Sequence, residues 1–457
     1  MKSIYQFILF TGILSVAATS CKKQLETRPN SNVLVPKTPT QMHGLLDNPE
    51  VFSYGHTAGL LSADEFYFVP TYYKLLTETV KNVYTWQTFK PAETDYDYKR
   101  IYQQVLYTNV VLEHLNELSA SMDKELNLIK GDALFKRALA FNMSLELYAS
   151  AYDVHSAPTD WGIPLKLTSN NNVLITRSRV QECYEQMLLD LNAAKDLLQL
   201  RPDPLHRNRA SGIAVSALMA RIYLCMGKWQ DAAQQAATVL QGYDSLINYN
   251  TINSSIEVPF PGDNREVIYP LKAPDNNLEN ALVAPLAGGL ANVDSNLIRL
   301  YDPNDLRLKL YYKQSGKTYR LKTTYTGIYV PFEGISLSEM YLILAESNAR
   351  LNKPDAALFY LEKLLRVRYK TGTNLNLPDS SQPDVVLDRI LIERKKELAF
   401  RGQRWQDIKR LNKLNGNIVQ QRVADNKTYT IQVNDLRYAL LLPEATVQNN
   451  KLEQNPR

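Results

Sequence analysis

Between positions 66 and 89 the chain carries Phe66, Tyr67, Phe68, Tyr72, Tyr73, Tyr84, Trp86 and Phe89, in a stretch with weak periodicity and several turn formers. Tyrosine and tryptophan join a flat apolar face to a polar tip, a combination suited to gripping sugar rings or peptide groups. We therefore expect Tyr67, Tyr72, Tyr73 and Trp86 to form a ligand platform, with Asp64 accepting hydrogen bonds from hydroxyl or amide groups. For Trp86 the alternative is packing against the first long helix. The chemistry of such a site is holding, not turnover.

Groups for covalent or acid–base chemistry do not assemble into a motif. His43, His56, His114, His155 and His206 are scattered, none at metal-ligand spacing from a carboxylate or cysteine, so no metal site is expected. Gly288-Gly289 reads as a turn and not a phosphate loop, and residues 334–338 lack the second glycine of a nucleophile elbow. Ser121 and Lys124 have the Ser-x-x-Lys spacing without its supporting motifs, and read as a helix boundary. A carboxylate pair for glycoside hydrolysis is defined by separation in space, so that reading stays open. No catalytic residue and no cofactor is expected. The net charge of +5 is spread along the chain, which excludes the clustered basic footprint of a nucleic-acid binder. Residues 393–397, Glu-Arg-Lys-Lys-Glu, alternate in sign and read as a solvated helix face.

The elements that would position the platform are helices. In residues 100–118, Ile101, Val105, Leu112 and Leu115 lie along one side; in residues 134–148, Leu134, Ala138, Phe141, Leu145 and Tyr148 do the same. Such stripes are core faces. Residues 214–240 and 337–368 each read as helix, short break, helix, with small residues facing large ones, in the manner of tetratricopeptide repeats. The segment between them, about 242–336, is rich in Pro, Asn and Gly, with β-like runs at 266–271 and 317–323. We read it as loops contributing to a binding face on a helical scaffold. Ser62-Ala63-Asp64-Glu65 has the form of a helix-capping signal. The fold class is thus mainly α, with long loops and minor β structure.

The N-terminal residues read as an address. Met1-Lys2 is followed by an apolar run and by Ala18-Thr19-Ser20 directly before Cys21. A basic start, an apolar middle and a small-residue cleavage site make a secretory signal over residues 1–20; a membrane span would need roughly 20 apolar residues. The cysteine at that position resembles a bacterial lipobox, in which the thiol receives a diacylglycerol. Residues 21–40 contain Pro29, Pro36 and Pro39 and read as an extended tether, leaving 41–457 as the folded body. Cys183 and Cys225 fall in helical segments and read as small buried residues.

Four stretches together resemble the SusD/RagB family of outer-membrane nutrient-binding lipoproteins. They are Cys21-Lys-Lys-Gln-Leu-Glu-Thr-Arg-Pro29; Tyr84-Thr-Trp86 followed by Tyr102 and Asn109; the block from Glu393-Arg394 to Arg404-Trp405-Gln406-Asp407; and Leu442-Pro443-Glu444 with the closing Gln454-Asn455-Pro456. Arg401 stands where the family commonly has Glu. The resemblance implies a helical body at the cell surface, anchored in the outer membrane through Cys21. It would bind an oligosaccharide or peptide and pass it to a TonB-dependent, SusC-like transporter without catalysing a reaction. Arg404, Trp405 and Asp407 fall on one apparent helix, where Trp405 reads as a core anchor and Arg404 and Asp407, at i and i+3, as a structural ion pair or helix-end contact. An interaction scaffold of helical repeats without a small ligand, and a surface glycoside hydrolase, are the alternatives. Labelled fatty acid should enter the wild-type chain and not Cys21→Ala; equal labelling of both would remove the anchor from Cys21.

Overall fold

The computed structural model describes residues 36–88, 95–118, 123–274, 286, 288–322 and 324–457. The signal segment, Cys21 and most of the tether lie outside the described residues. A short helix starts at Pro39, capped by the Thr38 hydroxyl.

Among the described residues nine longer helices form the body: α1 (Asp95–Glu117), α2 (Lys124–Tyr148), α3 (Val180–Leu197), α4 (Gly212–Cys225), α5 (Trp229–Gly242), α6 (Leu337–Arg350), α7 (Pro354–Arg366), α8 (Pro383–Glu397) and α9 (Arg404–Lys413). From α1 to α7 each packs against the next, and α8 closes on both α6 and α7. The repeat-like units, separated in sequence, are therefore consecutive in space, because α5 lies directly on α6. Buried Ala232 and Ala236 of α5 and Ala345 of α6 keep side chains small within this stack. Arg350 sits 4.7 Å over the Trp229 ring, tying the two units together. The two breaks match in backbone as well: Gly227 (φ 71°) and Asn352 (φ 57°) both take the left-handed conformation that ends a helix. The expected stripes are buried, and α2 exceeds expectation by being buried on nearly every side. Asp123 caps α2 by accepting from the Leu126 amide at 2.8 Å, as a boundary there requires. Ser62, by contrast, caps nothing; it is the last residue of a short helix, Thr57–Ser62.

The β structure consists of two-stranded antiparallel pairs. β1 (Phe66–Phe68) pairs with β5 (Ala291–Val293), and β2 (Trp161–Pro164) with β3 (Arg177–Arg179). β4 (Val267–Tyr269) pairs with β8 (Ile335–Ser336), β6 (Tyr312–Ser315) with β7 (Thr318–Leu321), and β9 (Gln420–Ala424) with β10 (Lys427–Ile431). Much of the insertion between α5 and α6 is core and not loop, since Tyr249, Tyr269, Tyr311 and Tyr325 are fully buried. Cys183 and Cys225 are both buried and unbonded.

The alternating charges of residues 393–397 do not face solvent. Glu393, Arg394, Lys396 and Glu397 are at most 3% exposed. Arg307 of the insertion bonds Asp305, Glu393 and Glu397, while Arg368, just after α7, bonds Glu266 and Glu397. Lys396 bonds Asp305 and Glu393 at 2.8 Å each. Arg401 reaches the Tyr311 hydroxyl at 2.8 Å and lies 4.0 Å over the Tyr325 ring, with Glu397 at 3.8 Å. Basic Arg307, Arg368, Lys396 and Arg401 thus face acidic Glu266, Asp305, Glu393 and Glu397, and the buried charge balances. A second network joins α4, α6, α8 and α9 through Arg221–Glu339, Arg394–Asp407 and Arg410–Glu346. Sign alternation along one helix cannot reveal burial, because the neutralising partners come from elsewhere in the chain.

Burial alone would raise the Glu397 carboxyl, but Arg368, Arg401 and Arg307 outweigh it and hold it down at about 2. A depressed carboxylate contributes stability above its ordinary value of 4.5 and loses it as pH falls toward about 2. Glu397→Gln should lower stability at neutral pH by about 3–5 kcal/mol, because it leaves buried arginines uncompensated. Its acid-unfolding curve should also be flatter than the wild type's over that window. Denaturant melts at neutral and acid pH measure both, and a wild-type profile in the variant would dismiss the network as a stabilising element.

Candidate functional site

β1 alternates its side chains: Phe66 and Phe68 point into the core, and Tyr67, opposite Asn292, is half-buried on the other face. Pro70 opens a single helical turn, Pro70–Tyr73, on which Tyr72 is half-buried and Tyr73 is buried. The rings of Phe66, Phe68, Tyr72, Tyr73 and Tyr84 then pack on one another, with successive centroids 4.7–6.0 Å apart. Arg422 of β9 lies 3.9 Å over Tyr84 and 4.7 Å over Trp86, and donates to the carbonyls of Leu61, Ala63 and Tyr84. The predicted aromatic platform is in large part an internal layer clasping a cation.

Two of the predicted residues have structural duties. Trp86 is 4% exposed, donates from its indole to the Ser62 carbonyl at 3.0 Å and packs with Trp405, Ile408, Ile431 and Tyr438. Its φ of 55° is a left-handed conformation that a bulky residue adopts only when its surroundings enforce it. Asp64 receives both ends of the Arg404 guanidinium, at 2.7 and 2.9 Å, together with Lys395 at 2.9 Å. Burial works to raise the Asp64 carboxyl, but these two cations hold it far below the usual range. Its oxygens are committed. The expected pair Arg404–Asp407 is accordingly replaced: Arg404 goes to Asp64, and Asp407 bonds Arg394 and Arg410 at 2.8 Å each. Trp405 is a core anchor as expected, at 1% exposure and 4.8 Å from the Tyr438 ring.

What remains open is a hollow of about 160 Å³ between the Pro70–Tyr73 turn and the β9–β10 hairpin. Tyr73, Tyr84 and Phe68 line its aromatic side, and Lys74, Asp425 and Asn426 its polar side. Asp425 and Asn426 (φ 47° and 60°) form the two-residue turn that a tight hairpin demands. The Tyr73 hydroxyl is pushed up to about 12 by burial and by Tyr429, so it stays protonated as a hydrogen-bonding group. Tyr72 borders this layer; Tyr67 is on the opposite face of its strand and does not join it.

A second hollow, of about 260 Å³, contains none of the predicted residues. Trp161, half-buried at the start of β2, lines it, and Arg179 lies 3.6 Å from the centroid of that ring. The available signal was a tryptophan within Pro158-Thr-Asp-Trp-Gly-Ile-Pro164, where no helical stripe exists for it to join. Among the described residues no group of His, Cys, Asp and Glu could hold a metal ion, and no helix is long and apolar enough to cross a membrane.

Residues 48–224 match a family model described as starch-binding and associating with the outer membrane, and residues 299–457 match that of the SusD family. The chain belongs to the SusD/RagB family. It is 23% identical over 394 residues to SusD-like protein P2 of Formosa agariphila, covering 73% of this chain and 75% of that one. A SusD superfamily protein from Bacteroides thetaiotaomicron superposes with a TM-score of 0.73 at 22% identity, over 93% of this chain and 100% of that one. A SusD-like carbohydrate-binding protein from Bacteroides vulgatus does so with a TM-score of 0.61 at 20% identity, over 86% and 89%. The mainly α architecture of this SusD-family chain is thus shared with its relatives. Trp86→Ala should destabilise it by about 3–5 kcal/mol, the cost of emptying a buried indole site. A normal thermal melt combined with lost ligand binding would return Trp86 to the site.

Proposed function

We propose that this SusD-family chain captures a glycan at the cell surface, anchored in the outer membrane through Cys21, and hands it to a TonB-dependent transporter barrel without cleaving it. The observation that carries the reading is the hollow beside Tyr73. Tyr73, backed by the buried Tyr84, offers an apolar wall to a sugar ring, while Lys74, Asp425 and Asn426 offer donors and acceptors to its hydroxyls. The family description as starch-binding supports a glycan over a peptide. Tyr72, next to this layer and half-buried, is the member of the predicted set we place at its edge.

The proposed handover rests on tethering. A body held beside a barrel raises the concentration of its cargo at the pore, and a flexible tether lets it move without leaving. A glycan array run beside a peptide pulldown identifies the ligand class. Tyr72→Ala and Lys74→Ala should then weaken binding by about tenfold, or 1.4 kcal/mol, without shifting the melt or releasing cleavage products. Unchanged affinity in both variants would remove the site from this hollow. A barrel protein should accompany the chain from outer membranes solubilised in mild detergent; its absence, with ligand uptake unchanged on deletion, would end the handover reading.

A further inference from the structure

Three segments distant in sequence meet around the larger hollow. The connection after α2 brings Ser150, Asp160 and Trp161; the end of α9 brings Lys409, Asn412 and Lys413; the C-terminal segment brings Asn434, Leu436 and Tyr438. Side chains of the first two segments are held by bonds of their own, and Asn434 of the third donates to the Asn412 carbonyl at 3.4 Å. Asp160 accepts from the Ser150 and Ser156 hydroxyls at 3.2 and 2.7 Å. Asn412 exchanges both of its amide bonds with the Ile418 backbone at 3.0 and 2.7 Å. Lys409 donates to the carbonyls of Glu146 and Ala149 at 2.8 and 2.6 Å. Arg179 covers one face of the Trp161 indole while donating to the Thr159 carbonyl at 2.7 Å, which stiffens the ring. Walls held in this way lose little freedom on binding.

The lining selects a chemical class. Ala151, Leu436, Tyr438, Ala439 and Pro456 supply an apolar floor beside the indole. An aliphatic ligand would strip water from the surrounding amides and carboxylates with no compensation. An anion is disfavoured too, because the Asp160 carboxylate shares the wall, Lys409 is spent on the Glu146 and Ala149 carbonyls, and burial pushes its amine down to about 7. A neutral ring with one apolar face and a fringe of hydroxyls satisfies both kinds of wall. At about 260 Å³ the hollow lies just under the roughly 300–1,000 Å³ of ordinary ligand pockets, which favours a single ring or a chain end over a long oligomer.

We infer that this hollow is a second saccharide site, in which one neutral pyranose lies against Trp161 and offers its hydroxyls to Asp160, Lys413 and Asn434. It has no lining residue in common with the hollow beside Tyr73, so either site can fail alone.

The test is saturation-transfer NMR on the full chain with an equimolar mixture of the methyl glycosides of glucose, galactose, mannose, xylose and N-acetylglucosamine, followed by titration of whichever binds. At least one glycoside should give a signal, and Trp161→Ala should weaken it by about tenfold or more. Because Trp161 also packs on Arg179, Asn434→Gly provides a second variant. It deletes the rim amide while preserving a position that already has φ 57°, and should weaken binding with an unchanged melt. Tyr72→Ala should leave this signal intact. No signal from any of the five glycosides, or wild-type affinity in both Trp161→Ala and Asn434→Gly, overturns the inference. Loss confined to Tyr72→Ala would do the same while leaving the reading of the Tyr73 hollow standing.

Discussion

Glu397 is fully buried and stays charged only because Arg307, Arg368 and Arg401 surround it. The rest of the architecture depends on that constraint. The insertion between α5 and α6 has no amphipathic stripe with which to choose a place on the helical stack, and apolar contact is indifferent to direction. Buried charges are not. Arg307 leaves the insertion for α8, and Arg368 leaves the end of α7 to join Glu266 in the insertion with Glu397 in α8. Moving any of these segments by a few ångströms would strand a charge in a medium that cannot solvate it, at about 3–5 kcal/mol per uncompensated charge, a large fraction of the stability of most domains. The network therefore contributes less to net stability than to uniqueness of arrangement. Arg401 supplies the fourth cation that balances the four acids.

The helical stack was legible because its information is local. Stripes such as Ile101, Val105, Leu112 and Leu115 repeat every three or four residues, and a helix either buries such a face or fails to form. The repeat-like pairs were legible for the same reason; the matched left-handed backbone of their breaks, at Gly227 and Asn352, comes from the structure. Spatial adjacency of the two units was not, since nothing within either says that α5 stacks on α6. The same limit explains the misread charges. Asp64 and Arg404 are 340 positions apart, so Asp64 resembles an idle acceptor and Arg404 turns to Asp407 for want of a visible alternative.

Aromatic residues raise a different difficulty. Tyr67, Tyr72, Tyr73 and Trp86 stand out by type and crowding, and both properties serve a core as well as a surface. The pleat of β1 and the reach of Arg422 from β9 decide the matter, sending Trp86 inward and leaving Tyr72 at an edge. Trp161 is inconspicuous for the opposite reason. It stands alone between Pro158 and Pro164, where neither crowding nor periodicity marks it, and its value comes from segments around residues 410 and 435 that fold up against it.

One small cluster positions both hollows. Trp86, Trp405, Ile408, Ile431 and Tyr438 form an apolar core separate from the main one, at the seam between the C-terminal segment and the helices. On one side Tyr438 stacks on Trp405 and forms part of the floor beneath Trp161. On the other, Arg422 covers Trp86 and Tyr84, and Tyr84 lines the hollow beside Tyr73. The β9–β10 hairpin, rooted in this cluster through Ile431, supplies Asp425 and Asn426 at its tip. A hairpin held at its root by tryptophans keeps its polar tip in place without burying it, as a binding edge requires: rigid backbone below, solvated groups above. The conspicuous block that ends in Trp405 and Asp407 acts at the same root. Asp407 is held down at about 2, burial being outweighed by Arg394 and Arg410, and so anchors α9 to α8 beneath the hairpin. The most recognisable residues of the sequence are thus committed to one another, and they hold in register the less conspicuous ones that line the two hollows.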